Sequence, residues 1–353
     1  MNYDVEVIED RNLFSNTATV IFDSRDDDEL RTKWLETRNK SIGGSEIGAI
    51  AGLSEYVSSL TVYNDKLGLV EKFKGNIHTV FGTRLEPFIR YYVQEDFKKE
   101  TGIELTTYEY PYMMIDNEYN FLSANIDGLA KLSEDYVYWE NRDTAEIKYI
   151  PKGEYIGLEI KTASEFLKNK WEGDEIPDSY LAQIYHYMGV TGLNYFLIIY
   201  LLGKEVKWKV VPRNEDDIKA LREIGVDFWE NHIIPKIPPE PTGIKKETDE
   251  ILQQQVLDDA EEIDITDKKL TKYNEISEQI KELEKERERI KQEIFLEMGN
   301  SKKATDGSYK LSRYVVTRDK IDNKTLKDKY PLTYAAVLNG TTEYVNMRVT
   351  KCK

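Results

Sequence analysis

Two acidic residues and one lysine lie on predicted strands with a spacing that suits metal-assisted phosphate chemistry. Apolar and charged residues alternate in Gly157–Ser164, so Glu159 and Lys161 share one face of a β-strand. Asp127 lies 32 residues upstream, on the second strand of a hairpin predicted over residues 103–131. Mg²⁺ takes one or two carboxylates plus phosphate oxygens, and a lysine can orient water or stabilise a charged phosphate. The sequence therefore predicts a divalent metal site at Asp127 and Glu159, with Lys161 beside it.

A Glu-x-Lys alternation is also common on the exposed face of a strand, and that interpretation remains open for Glu159 and Lys161. The chain contains a second example, Glu146-Ile147-Lys148, within a polar, tyrosine-rich stretch. We prefer the first example because a glycine precedes it, Thr-Ala-Ser follows it, and a predicted helix comes soon after. The helix is predicted to begin after residues 177–179 and to end near Val190.

A second candidate site is the segment Gly43-Gly44-Ser45, which leads into a short predicted helix rich in small residues. Ser45 is predicted as the N-cap of that helix. Such an entry can bind an anion through free backbone N–H groups. The alternative is a tight turn into a small buried helix.

The remaining elements up to residue 240 predict a mixed α/β domain. Glu86 lies on a predicted helix over 79–99, four residues before Arg90, a spacing that also suits a surface ion pair. Gln183 and Tyr187 lie one turn apart on the helix after residue 177. Further elements are predicted as a helix over 58–67, strands over 195–202 and 205–211, and a helix over 215–231.

The proline-rich segment Ile237–Thr242 predicts a boundary between a domain over 1–240 and a C-terminal module over 241–353. The module is predicted as a helical hairpin over 247–262 and 266–299, with a short heptad seam on the second helix, followed by a small β tail near 309–317 and 344–349. The last 53 residues contain 12 Lys or Arg against 5 Asp or Glu. None of the candidate residues lies in this module, so it is expected to contact another subunit, a partner protein or DNA, or to pack on its own first domain.

Composition limits the class of protein. The net charge of −16 argues against a simple nucleic-acid coat protein. One cysteine excludes a disulfide framework and a four-cysteine metal site, and the presence of only three histidines argues against a multi-histidine metal site. The N-terminus is acidic and lacks a signal-peptide core, and the apolar run over 195–202 is too short to span a membrane. We therefore expect an intracellular protein without a membrane segment.

The motifs taken together resemble the YqaJ-like phage recombinase family, relatives of lambda exonuclease within the PD-(D/E)XK nuclease superfamily. The residues that carry the resemblance occur in order along the chain: Arg38, Ser45 in Ile-Gly-Gly-Ser-Glu-Ile, Glu86, Asp127 in Ala-Asn-Ile-Asp-Gly, Glu159 and Lys161 in Leu-Glu-Ile-Lys-Thr, and Gln183 and Tyr187 in Gln-Ile-Tyr-His-Tyr. The implied fold is a restriction-endonuclease-like α/β (α+β) core with a central mixed sheet flanked by helices.

The resemblance implies 5′→3′ degradation of one strand at linear double-stranded DNA ends, with Mg²⁺ as cofactor and Mn²⁺ as a substitute. Asp127, Glu159 and the Ile160 carbonyl would bind one or two metal ions, and Glu86 would bind a second ion or a metal-bound water. Lys161 would position the nucleophile, and Gln183 and Tyr187 would support the site or touch the DNA backbone.

The same resemblance assigns a 5′-phosphate to Arg38 and Ser45. It implies a RecT-like single-strand annealing protein as partner, a homo-oligomer with a trimeric ring as the candidate form, and a phage-encoded protein in the cytoplasm of a bacterial host. Two alternatives stay open: a PD-(D/E)XK endonuclease of restriction or CRISPR-associated type, and a non-catalytic recombination scaffold on the same fold.

Overall fold

The structure is a computed structural model, and it describes residues 3, 5–25, 38–70, 75–141, 143–163, 171, 175–255, 263–317 and 322–337. The chain divides into two compact units, Met1–Val256 and Leu257–Lys353. Every candidate residue belongs to the first unit. Strands and helices are numbered below in chain order.

The first unit is built on a six-stranded mixed sheet. Its strands, in spatial order, are β1 (Glu6–Val7), β3 (Leu105–Glu109), β6 (Gly128–Leu132), β9 (Ile156–Ala163), β10 (Tyr195–Leu202) and β11 (Glu205–Pro212). The pairs β1–β3 and β9–β10 are parallel, and the other three pairs are antiparallel. The predictions of β10 and β11 are confirmed, since an eight-residue apolar run suits a strand that is covered on both faces.

The predicted hairpin over 103–131 is divided between two sheets. β3 and β6 pair in the central sheet, whereas β4 (Tyr112–Asp116) and β5 (Ser123–Ala124) form a second sheet with β2 (Ala18–Asp23). The division falls at Pro111, which lacks the N–H that would continue a strand ladder. A separate ribbon pairs β7 (Tyr136–Asn141) with β8 (Glu146–Ile150).

Helices cover both faces of the central sheet. They are α1 (Gly44–Ile50), α2 (Ser59–Lys66), α3 (Ile77–Thr101), α4 (Asp178–Thr191) and α5 (Glu215–Phe228), which continues into a π-helical turn over Trp229–Ile233. The prediction of an α/β core, with a central mixed sheet between helices, is confirmed.

Alternate residues of the strands contribute to two apolar cores, one on each face of the sheet. Leu197 and Ile199 of β10 pack with Ile89 and Phe97 of α3. Phe196 and Ile198 belong to the core that includes residues of α1, α4 and α5. Burial of these large side chains is the main stabilising contribution, at roughly 25 cal/mol per Å² of apolar surface removed from water.

The first compact unit extends past the predicted boundary at residue 240, because helix α6 (Lys245–Gln253) packs on it. The buried Glu250 accepts a hydrogen bond from Asn64 Nδ2 at 3.0 Å. Glu247, also buried, accepts from the Thr242 and Gly243 N–H groups at 2.9 and 3.0 Å. Both buried carboxylates thus have hydrogen-bond donors within this unit.

The second unit contains the long helix α7 (Lys269–Met298), the short strands β12 (Lys303–Thr305) and β13 (Lys310–Ser312), and helices α8 (Asn323–Lys329) and α9 (Pro331–Val337). The predicted long helix is present, and a small β hairpin follows it. The two helices of the predicted hairpin, α6 and α7, fall in different compact units. The predicted strand over 344–349 lies outside the described residues. Over the described ranges, no helix is both long and apolar enough to cross a membrane.

Candidate active site

A cavity of about 400 Å³ brings together the residues that the sequence analysis assigned to the site. Its lining includes Arg38, Ser45, Glu86, Asp127, Glu159, Ile160, Lys161, Gln183 and Tyr187. These residues come from α1, α3, α4, β9 and the segments before α1 and β6. Only the tertiary structure brings them to one place, because they are spread over 150 positions, from residue 38 to residue 187.

Strand β9 sets the positions of the predicted carboxylate and lysine. Leu158 and Ile160 pack in the core that contains α3, so Glu159 and Lys161 point to the opposite face, toward α4. Gly157 leaves room for β10, since a Cβ there would lie 2.3 Å from a ring atom of Phe196. The predicted alternation along this strand is therefore confirmed.

Asp127 lies directly before β6, rather than on a strand, and it pairs with β9 through both its backbone and its carboxylate. Its N–H donates to the Leu158 carbonyl at 3.1 Å, and its Oδ2 accepts from the Ile160 N–H at 2.7 Å. The following residue must be glycine, because a Cβ at Gly128 would lie 2.6 Å from the Tyr108 carbonyl oxygen. Burial raises the pKa of Asp127, against the opposing effect of Lys161 and of the Ile160 N–H.

Glu159 is a buried carboxylate that is only half satisfied. It is 2% exposed, and its Oε1 accepts from Gln183 Nε2 at 2.8 Å. Its Oε2 is buried and has no hydrogen-bond partner among the described residues. Burial, and then the negative charge of Asp127, raise the pKa of Glu159 to about 8. An unpaired buried carboxylate oxygen is costly, so this atom is suited to bind a cation.

Lys161 forms the positive part of the cluster. Its Nζ lies 2.5 Å from Glu159 Oε1 and donates to Gln183 Oε1 at 3.0 Å. It also lies 4.8 Å from the ring centroid of Tyr180. Burial acts to lower the pKa of Lys161, but the charges of Glu159 and Asp127 outweigh it, and the pKa is raised. The lysine is thus held in its charged form.

Gln183 and Tyr187 support the cluster from α4. Gln183 contacts both Glu159 and Lys161, and its Nε2 also donates to Tyr187 Oη at 3.0 Å. Tyr187 is buried, and its ring lies against Gly44 at the start of α1. A Cβ on Gly44 would lie 2.4 Å from Tyr187 Cε1, so the glycine permits close approach of α1 and α4.

Glu86 reaches the cavity from α3, but its carboxylate is paired with Arg90. Arg90 Nη2 donates to Glu86 Oε1, and the buried Arg90 Nη1 lies 4.0 Å from Glu109. Burial, and then the charge of Asp127, raise the pKa of Glu86 to about 7 despite the arginine. The charge of Asp127 therefore affects the protonation of Glu86. The ion pair of Glu86 with Arg90 is the i, i+4 pair indicated by the sequence.

Arg38 and Ser45 form another part of the cavity wall. Arg38 Nη2 donates to Ser45 Oγ at 3.1 Å. The prediction of Ser45 as N-cap is wrong, because α1 begins at Gly44 with Gly43 as its cap. The backbone is extended at Gly43, and the preceding residue, Ile42, forms a parallel β-bridge with Leu122.

The structure separates the two Glu-x-Lys segments. Glu146 and Lys148 lie on β8 of the two-stranded ribbon, and both are exposed. Lys148 Nζ lies 4.9 Å from the ring centroid of Trp139 on the paired strand. Glu159 is buried in the central sheet instead. The two segments share a pattern but differ in environment.

Other cavity residues were not singled out by the sequence. Asn125 stands two positions before Asp127, and Thr79 and Thr83 share the α3 face with Glu86. These spacings, of two residues before Asp127 and of four and three residues along α3, are the signals that could have identified them. Thr162, which follows Lys161, also lines the cavity.

The donor set is compatible with a hard cation only if backbone, water or substrate oxygens complete it. Within the described ranges, no group of three or more His, Cys, Asp or Glu side chains could hold a metal ion. Asp127 and Glu159 supply two carboxylates, and Ile160 lines the same cavity. Mg²⁺ is commonly held by one or two carboxylates together with water and phosphate oxygens. The unpartnered Glu159 Oε2 fits this requirement.

Three solved structures are remotely similar to this chain. The alkaline exonuclease LHK-Exo from Laribacter hongkongensis is 13% identical, with 64% of this chain and all of that chain covered and a TM-score of 0.40. The structure of LHK-Exo in complex with dAMP gives 14% identity, 57% and 91% coverage and a TM-score of 0.39. A phage related exonuclease from Haemophilus somnus 129PT gives 14% identity, 56% and 96% coverage and a TM-score of 0.31.

A relative identified by its sequence covers more of this chain. The uncharacterized protein YqaJ of Bacillus subtilis (strain 168) is 28% identical over 320 residues, which cover 88% of this chain and 92% of that protein. Residues 33–194 match the model of the YqaJ-like viral recombinase domain, and this range contains all nine cavity residues proposed from the sequence. The range from residue 33 to residue 194, which is less than half of the chain, is therefore similar to the YqaJ-like viral recombinase domain family.

Proposed function

We propose that the chain is a metal-dependent nuclease that degrades one strand of linear double-stranded DNA in the 5′→3′ direction. The observation that carries this proposal is the half-satisfied buried Glu159, which lies beside Lys161 in a cavity shared with Asp127, Arg38 and Ser45. Burying such a set of charges is unfavourable unless a ligand compensates them. A cation and a DNA end supply that compensation.

Asp127 and Glu159, with the Ile160 carbonyl, would hold Mg²⁺, and Mn²⁺ would substitute because it takes the same oxygen ligands. A bound divalent cation supplies Lewis-acid activation of water and charge stabilisation at the phosphate. Glu86 stands near enough for its pKa to respond to Asp127, and we propose it as an accessory acidic group of the same site.

Lys161 would stabilise the negative charge that develops on the scissile phosphate. Gln183 fixes its direction, since it accepts from Lys161 Nζ with one amide atom and donates to Glu159 with the other. Gln183 also contacts Tyr187, so α4 holds the lysine and the carboxylate at a set separation. This preorganisation lowers the cost of reorganising charge during the reaction.

Arg38 and Ser45 would bind the 5′-phosphate of the DNA end. A guanidinium presents several N–H donors in a planar fork that suits phosphate oxygens. Attachment of the end at this wall would place a nearby phosphodiester at the carboxylate cluster in the same cavity. Digestion would then proceed from a 5′ end and expose a 3′ strand for a RecT-like annealing partner. A ring-shaped homo-oligomer belongs to the same proposal.

Digestion of linear and covalently closed duplex DNA tests the proposal. We expect Mg²⁺-dependent loss of linear DNA only, abolished by Asp127→Asn and Glu159→Gln. Glu146→Gln is the matched control, because that residue lies in the exposed ribbon, and it should retain full activity. Cleavage of closed circles would indicate an endonuclease instead, and DNA binding without hydrolysis would indicate a scaffold.

Comparison of 5′-phosphorylated with 5′-hydroxyl ends tests the end-binding assignment. The intact protein should digest phosphorylated ends faster, and Arg38→Ala should remove that preference while leaving the slower digestion of hydroxyl ends. Equal rates on both ends in the intact protein would eliminate the role of Arg38 and Ser45.

A further inference from the structure

We propose that Lys66 is a positioning residue that, together with Glu46, fixes Arg38 and Ser45 for recognition of the terminal phosphate. This inference rests on the proposed function of that cavity wall. Lys66 lies on α2, an element that contributes nothing to the resemblance described above. Its ammonium contacts both the Arg38 backbone carbonyl and the Glu46 carboxylate.

The first link joins Lys66 to the segment that carries Arg38. Lys66 Nζ donates to the Arg38 backbone carbonyl at 2.7 Å. The lysine side chain is only 1% exposed, so this hydrogen bond is shielded from water. A buried charge-assisted hydrogen bond holds its acceptor in a defined position. Lys66 therefore fixes the backbone from which the Arg38 guanidinium extends.

The second link joins Lys66 to the start of α1. Lys66 Nζ lies 2.7 Å from Glu46 Oε2 and donates to Oε1 at 2.8 Å. Glu46 Oε2 also accepts from the Gly43 N–H at 2.8 Å. Glu46 is the neighbour of Ser45, so this carboxylate fixes the turn that presents the Ser45 hydroxyl to the cavity. One ammonium thus sets the distance between the two groups assigned to the phosphate.

Burial of the Lys66–Glu46 ion pair carries a desolvation cost, which argues that the pair serves to position its neighbours. Burial lowers the pKa of Lys66, and the negative charge of Glu46 only partly opposes this effect. Buried ion pairs are often no better for stability than apolar side chains of the same volume. They do impose a defined geometry, because a misplaced charge is left without its partner. The ion pair is therefore better explained by the placement of Arg38 and Ser45 than by stability.

The test measures kcat and KM on duplex DNA with 5′-phosphorylated and 5′-hydroxyl ends, for the intact protein and for Lys66→Met. Methionine keeps most of the unbranched apolar side chain but loses the ammonium that makes both links. We expect the KM for phosphorylated ends to rise about tenfold, the effect of misplacing one charge-assisted hydrogen bond, with kcat little changed. The preference for phosphorylated ends should fall by the same factor.

The preference is an internal control, because a partly unfolded preparation lowers the rates on both ends equally and leaves their ratio unchanged. Lys98→Met is the matched control: it removes an exposed lysine paired with Glu104 at 2.6 Å, and it should change neither KM nor the ratio. Glu46→Gln is the second variant, to be used if Lys66→Met does not fold. It retains an acceptor for the Gly43 N–H but removes the charged partner of Lys66, so the preference should fall by a smaller factor.

An unchanged ratio in folded Lys66→Met, or in Glu46→Gln if only that variant folds, would overturn the inference. A fall in kcat on both ends with no change in their ratio would also overturn it, because that pattern indicates general damage to the fold. The proposed function fails in a different way, since an intact protein that does not digest linear DNA, or has no end preference, removes the premise before the variants are compared.

Discussion

Replacement of Glu159 by glutamine should change both chemistry and stability, and the stability effect has a defined dependence on pH. The carboxylate is buried beside Asp127, and its pKa in the folded chain is about 8 against an ordinary value of 4.5. Between these values the unfolded chain loses this proton while the folded chain keeps it. Stability from this group is therefore fully present below about pH 4.5 and is lost as the pH rises toward about 8.

The magnitude follows from the difference of one bound proton. Each pH unit in this window costs the folded protein about 1.4 kcal/mol. Glu159→Gln removes the titrating group but keeps its size and its contact with Gln183. We compare the free energy of unfolding of the variant with that of the parent. This difference should be larger at about pH 7 than at about pH 5.5 by about 2 kcal/mol, or by about 4–8 °C in Tm for a unit of this size.

Urea unfolding of both proteins in metal-free buffer, followed by tryptophan fluorescence, measures this difference. All five tryptophans lie in residues 1–256, so the signal reports the first compact unit. Mg²⁺ should reverse the ranking at the higher pH, because it stabilises the ionised pair of the parent and has little effect on the variant. A stability difference that is the same at both pH values would refute the inference that Glu159 titrates near pH 8.

Three further outcomes are expected. Lys161→Ala should lower the rate of DNA hydrolysis by roughly 10²–10³, as loss of one preorganised charge contact often does, while stabilisation by Mg²⁺ in thermal unfolding persists. Gly44→Ala should destabilise by about 1–3 kcal/mol in urea unfolding, because its Cβ would meet the Tyr187 ring at 2.4 Å, whereas a Cβ at Gly43 has its nearest neighbour at 3.8 Å and Gly43→Ala should be tolerated. Truncation after Val256 should leave hydrolysis of a short duplex intact and lower the oligomeric mass or the processivity on long DNA; unchanged mass and processivity would exclude a role of the second unit in either.

The local elements of this protein follow from its sequence because their signals are local. The apolar run over Tyr195–Leu202 forms a strand with the predicted bounds, and the alternation around Glu159 places that residue and Lys161 on one face of β9. A strand has a side-chain period of two, so the sequence alone determines which residues share a face. The order of motifs likewise indicated a recombinase-type domain, which the family match over residues 33–194 confirms.

Only the tertiary structure decided which pattern is the site. Glu146-Ile147-Lys148 and Glu159-Ile160-Lys161 have the same alternation, yet one lies on an exposed ribbon, whereas the other lies on β9 between β6 and β10, with Glu159 buried. The contacts of Lys66 with Arg38 and Glu46 join residues 20 or more positions apart, and no local pattern encodes them. Desolvation and nearby charges shift the pKa of a side chain, and residue type alone does not. The protonation of these groups therefore depends on burial and on neighbours that are distant in sequence.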